Sequence, residues 1–165
     1  EEPWKVAMFT ALFNRIKALG ARVIIGVSGH NIPQQIALVN RALAPVVADG
    51  TIAGIGLWEM TLSRCAESDS DHAAKWETSN MMFFYPEHVD LAELGTGPLA
   101  PDMKAPDGIG GLDPRTHASA AVGRRNAELA AAAIGKKAKE LLATLPDDQR
   151  AFNLPAISPQ HWWMI

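Results

Sequence analysis

Apolar positions along the chain switch between helical and extended spacing. Val6, Phe9, Phe13 and Ile16 recur every three or four residues, which predicts a helix over residues 3–19. Pro3 suits its first turn, where an N–H lacks a helical partner in any case, and Gly20 suits its stop. Residues 22–28 (RVIIGVS) form a short, continuous apolar run rich in β-branched side chains. That is the pattern of a strand buried on both faces, as in a parallel sheet. Gly29, His30 and Asn31 follow, and Pro33 opens a helix expected to run to about Val47. Asp49-Gly50 predicts a turn. Residues 52–60 (IAGIGLWEM) read as a second buried strand, with Gly54 and Gly56 allowing another backbone to come close. Helix, glycine, strand, helix, strand is the rhythm of a layered α/β fold with a mainly parallel sheet.

Beyond Trp58 and Glu59 a polar stretch, Ser63 to Asp71, delivers His72, and helical spacing then returns. Met81 and Phe84 lie four and seven residues after Glu77, so Glu77 is expected on the face its own helix buries. A carboxylate there is costly unless a metal, a cation or several donors hold it. The plain reading is a capping box or a buried salt bridge. Residues 86–114 show no regular pattern and many glycines and prolines, and a loop of that length is expected to serve function or assembly. Ala118 to Ala143 reads as a long Ala-rich helix, on which Arg124, Arg125, Lys136, Lys137 and Lys139 form a solvated face. Residues 1–145 are therefore expected to form one domain. Residues 146–165 read as an irregular tail, whose paired Trp162 and Trp163 are expected to dock on a partner subunit.

The composition narrows the function classes. With 165 residues, 48% of them hydrophobic, the chain can bury a core of its own. A net charge of −3 leaves no electrostatic footprint for nucleic acid or an anionic membrane surface. No apolar run reaches the roughly 18 residues of a bilayer span. Cys65 is the single cysteine, which excludes an internal disulfide and leans toward the cytoplasm.

The candidate chemistry sits where the strands end. His30 and Asn31 leave the C-terminal end of one predicted strand and His72 follows the end of the next, the position at which open α/β sheets place their ligands. Taken alone, His30 is as well explained by a loop histidine that caps or hydrogen-bonds locally. Convergence of His30, His72 and Glu77 is what a metal-hydrolase site would require.

Three motifs then line up, in order, with one family. The Gly29-His30 unit after its strand resembles the Asn-Gly-His-Gly-Gly-Asn segment of the creatininase (creatinine amidohydrolase) family. Asp71-His72-Ala73-Ala74-Lys75-Trp76-Glu77-Thr78-Ser79 resembles its His-Ala-Gly-Glu-(Phe/Trp)-Glu-Thr-Ser motif, the most specific of the three. Gly111-Leu112-Asp113-Pro114-Arg115, with Gly123-Arg124-Arg125 on the helix beyond, resembles its Gly-Asp-Pro-Arg segment and closing helix. The similarity spans roughly residues 3–143 and concerns the C-terminal portion of the family's domain.

The resemblance implies a three-layer α/β/α fold, an oligomer, and two divalent metals (zinc, manganese or iron) at a site that hydrolyses C–N bonds of small amides, cyclic ones included. His30 then matches a metal-ligand histidine, and His72 the histidine that moves protons beside the metals. Glu77 matches a glutamate that ligates metal or orients a base. Metal-activated water would attack the carbonyl while His72 carries a proton to the leaving nitrogen. Trp58, Trp76, Asp71, Asn31 and the 86–114 loop are expected around the substrate. The family's N-terminal Glu, His and Asp ligands have no counterpart in this sequence. An N-terminal creatininase-like chain, cleaved or separate, is therefore expected to supply them. Ile32 stands where creatininase itself has a ligand glutamate, and it carries a second reading: a non-catalytic assembly or binding subunit with a degenerate metal site.

Overall fold

The computed structural model describes residues 3–30, 32–59, 71–100 and 107–151. The chain divides into two compact units, Glu1–Glu59 with Gly135–Ile165, and Met60–Ile134. Mixed α/β architecture is found, with helices packing on a small two-stranded parallel sheet. Among the described residues, no helix is long and apolar enough to cross a membrane.

In the first unit the order is α1 (Pro3–Ala18), β1 (Val23–Ser28), α2 (Pro33–Val47) and β2 (Ala53–Trp58). The strands pair in parallel from Val23↔Ala53 to Ser28↔Trp58, and α2 makes the crossover that parallel pairing needs. Phe13, Ile24, Ala42, Leu43, Val46 and Ile52 form the core, and Val6, Phe9 and Ile16 pack against it, so the predicted stripe of α1 is its inner face. At Gly20, φ is 96°, the left-handed value that ends a helix at little cost in glycine.

Glycines set how closely α2 lies on the sheet. A Cβ on Gly26 would stand 2.5 Å from Val39 Cγ1, and one on Gly56 2.7 Å from the same atom. The Asn40 amide completes this contact: its Nδ2 donates to the Gly56 carbonyl at 3.1 Å and its Oδ1 accepts from the Gly56 N–H at 2.8 Å. Burial is less complete than a strand covered on both faces would have, because Val27 is 46% exposed. The reason is that, among the described residues, β1 pairs only with β2 and one of its edges stays open.

An ion pair ties the end of α1 to the α2–β2 turn, with Lys17 Nζ 2.7 Å from Asp49 Oδ2. The Lys17 ammonium, helped by the N–H and hydroxyl of Thr51, holds the Asp49 carboxyl down to about 2. A depressed carboxylate stabilises the fold above its unfolded pKa of about 3.9 and stops doing so as pH falls through its folded value. Between about pH 4 and pH 2 the native state should thus lose this contribution. Urea midpoints measured across that range should fall less steeply for Asp49→Asn, and an identical slope would remove Asp49 from the acid response.

The second unit holds α3 (Lys75–Phe84), short 3-10 turns at Pro86–His88 and Leu91–Leu94, and α4 (Pro114–His117). It also holds α5 (Ala120–Ala143) as far as Ile134, the rest of that helix belonging to the first unit. The expected helix from Ala118 begins two residues later because Ser119 caps it, its Oγ accepting from the Val122 N–H at 3.2 Å. α5 crosses α3 backbone to backbone. A Cβ on Gly123 would fall inside the van der Waals envelope of the Ser79 carbonyl. The fully buried Ser79 hydroxyl accepts from the Ser119 N–H at 3.1 Å and donates to the Lys75 carbonyl.

Candidate functional site

The site is built on a pinned turn. His72 forms an antiparallel bridge with Gly110, donating to its carbonyl at 2.9 Å and accepting from its N–H at 2.8 Å. Lys75 N–H donates to the Leu112 carbonyl at 3.2 Å. Gly111, at φ 146°, passes so close that a Cβ there would lie 2.9 Å from both Ala74 Cβ and Asp71 Cβ. Asp71 then closes the turn from inside. Its Oδ2 accepts from the Trp76 N–H at 2.6 Å and its Oδ1 from the Glu77 N–H at 3.2 Å, two of the orphan donors at the start of α3. Burial raises the Asp71 pKa against the opposing pull of those two donors.

Ala73 sits at φ 49°, a left-handed conformation that costs a non-glycine residue about 1 kcal/mol or more. Both of its backbone groups are held. The N–H donates to Glu77 Oε2 at 2.7 Å, and the carbonyl accepts from Thr78 Oγ1 at 3.1 Å. Glu77 thus folds back over the turn, and its Oε2 lies 3.9 Å from His72 Nδ1.

The expectation that Glu77 is buried is corrected here. Its side chain is 46% exposed, and Met81 and Phe84 on the same stripe are 41% and 56% exposed. α3 instead buries Ser79, because α5 packs against the small, polar side of the helix through Gly123. Glu77 opens into a cleft of about 330 Å³ shared with Thr78, Met81, His88, Asp90 and Leu94.

Residues 86–100 and 107–114 have more order than their composition suggests. Arg115 donates to both Asp113 oxygens, to the Gly95 carbonyl at 2.6 Å and to the Gly97 carbonyl at 2.9 Å. This fork holds the segment after Leu94 against the Asp113-Pro114 corner, and Leu94 and Pro114 both face the cleft. The Arg115 guanidinium keeps the Asp113 carboxyl below the usual carboxylate range. His88, Asp90 and this clamp went unforeseen. Single-turn 3-10 elements leave no periodic signal, although Asp113-Pro114-Arg115 stood out as a motif.

The remaining predicted residues are placed as follows. Asp71, His72, Trp76 and Glu77 cluster in the second unit, where the Trp76 ring carries the Lys75 ammonium 4.1 Å from its centroid and does not line the cleft. His30 lies in the first unit, exposed just beyond β1, with its carbonyl accepting from the Ser28 hydroxyl at 3.0 Å and the Ile32 N–H at 2.9 Å. Trp58 ends β2 in that unit, its indole N–H buried without a hydrogen-bond partner among the described residues. Asn31 lies outside the described residues, as do the loop 60–70 and the tail from residue 152. Among the described residues no group of three or more His, Cys, Asp or Glu side chains could hold a metal ion. No family model, curated protein or solved structure matches the chain.

Proposed function

We propose that this chain is the C-terminal piece or subunit of a creatininase-like, divalent-metal-dependent amidohydrolase that cleaves a C–N bond of a small linear or cyclic amide. The observation that carries the reading is the His72–Glu77 pair at 3.9 Å, each partner about half exposed, on a turn whose backbone is pinned from three sides. At 3.9 Å the Glu77 carboxylate faces Nδ1 beyond hydrogen-bond distance, and Nε2 is left to carry a proton. In this reading His72 delivers that proton to the leaving nitrogen and Glu77 orients the ring. The cleft beside Glu77, whose lining does not include His72, is of a size for a small amide.

The described donors do not make up a two-metal centre: the second unit offers His72 and Glu77, and the first offers His30. We therefore assign the missing donors to an N-terminal creatininase-like chain, which would also extend the sheet into a three-layer α/β/α sandwich. β1 suits such an addition, since its sequence, Val-Ile-Ile-Gly-Val-Ser, is that of an interior strand. Ile32, without a donor atom at the position two beyond His30, favours the second reading of a non-catalytic assembly or binding subunit.

Hydrolysis of creatinine, a formamide and a five-membered lactam, assayed with added zinc or manganese on protein from its natural source, separates the two. Turnover that His72→Ala abolishes, with the assembly unchanged on size-exclusion chromatography, supports the enzyme. Unchanged turnover in that variant removes His72 from the reaction. No turnover, together with a single species of this chain's mass in a denaturing intact-mass spectrum, leaves the binding subunit.

A further inference from the structure

A largely apolar cavity in the first unit, independent of the turn at His72, has three basic residues among those that line it. It measures about 290 Å³ and is lined by Arg22, Val23, Ala138, Lys139, Leu142 and Arg150, with no Asp or Glu among these. The cations come from separate parts of the chain: the approach to β1, the last turns of α5, and the segment after its end.

The three basic side chains differ in what holds them. Arg150 is braced by its own surroundings, with Nε donating to the Leu145 carbonyl at 2.8 Å, Nη2 to the Ala143 carbonyl at 3.0 Å, and Nη1 2.7 Å from Asp147 Oδ1. Asp147 balances that charge, so the excess belongs to Arg22 and Lys139. Arg22 spends only Nε on the Ala151 carbonyl, at 3.2 Å, among the described residues. Its planar Nη pair remains as a fork of the kind that meets a carboxylate with two parallel hydrogen bonds. Val23, Ala138 and Leu142, with the aliphatic stem of Lys139, supply the apolar wall.

We propose that this cavity binds a small organic carboxylate whose compact apolar body rests on Val23, Ala138 and Leu142 while its anionic group is held by Arg22 and Lys139. A free phosphate fits less well, because a dianion needs many donors and no apolar floor.

The test uses the full chain and 4-phenylbutyrate as the probe, followed by titration calorimetry. Saturable binding is expected, weakened about tenfold by Arg22→Gln and likewise by Lys139→Gln. The affinity should fall as salt is raised. The neutral amide, 4-phenylbutyramide, should bind the unsubstituted protein at least about tenfold more weakly, a comparison that needs no variant to fold. Glu77→Gln should leave probe binding intact, so the result does not depend on the proposed hydrolase. No saturation by about 10 mM, equal binding of acid and amide, or indifference to both substitutions would each overturn the proposal.

Discussion

Gly123→Ala is expected to destabilise the second unit by about 3 kcal/mol or more. In an ordinary helix interior the same change is favourable, by roughly 0.5–1 kcal/mol, because alanine loses less chain entropy on folding. Here the added carbon meets the Ser79 carbonyl and the Asn80 amide nitrogen, which are main-chain atoms of α3 and cannot turn aside as a side chain would. Relief requires α3 and α5 to separate, which breaks the Ser119 N–H bond to Ser79 and leaves the buried Ser79 hydroxyl short of a partner. The internal comparison is Gly135 on the same helix, where a Cβ meets nothing within 4 Å. Gly135→Ala should therefore be neutral or mildly stabilising. Urea denaturation of the two variants beside the parent protein measures the contrast, and two midpoints that move together would mean that the helices do not cross as closely as described.

Glu77→Gln is expected to lower kcat/KM of the proposed hydrolysis by about 100-fold or more while the fold is retained. The substitution separates two jobs of one side chain. A glutamine oxygen can still accept from the Ala73 N–H, so the left-handed turn keeps its brace. What disappears is the negative charge 3.9 Å from His72 Nδ1, which the proposed reaction uses to orient the ring. Glu77→Ala loses both jobs and should also lower the melting temperature. If the glutamine variant turns over the substrate at the parental rate, the carboxylate is only a structural brace of the turn, and the catalytic reading of the pair fails.

The sheet-forming part of the chain was legible because its apolar runs are long and its breaks are glycines. The helix stripe Val6–Ile16, both strands and the role of Gly56 follow from spacing alone, with boundaries shifted by a residue or two. The second unit was less so. Its order comes from single hydrogen bonds made by polar residues at irregular intervals, such as Asp71 to the start of α3 and Arg115 to Gly95 and Gly97, and those carry no period. The exposure of Glu77 was misread for a related reason. Met81 and Phe84 looked like a core stripe, yet α5 takes the Ser79 side, where small residues let two backbones touch. The cluster of Asp71, His72 and Glu77 was visible in sequence because it is local. His30 belongs to the other unit.

The Asn40 amide has a further consequence for how copies of this chain can meet. It spends both hydrogen-bonding groups of Gly56 and so blunts β2, while among the described residues the outer side of β1 is left bare. A strand added to this sheet, from the proposed N-terminal chain or from a copy, therefore meets unpaired backbone along β1 among the described residues, whereas on β2 it must first displace the Asn40 amide at Gly56.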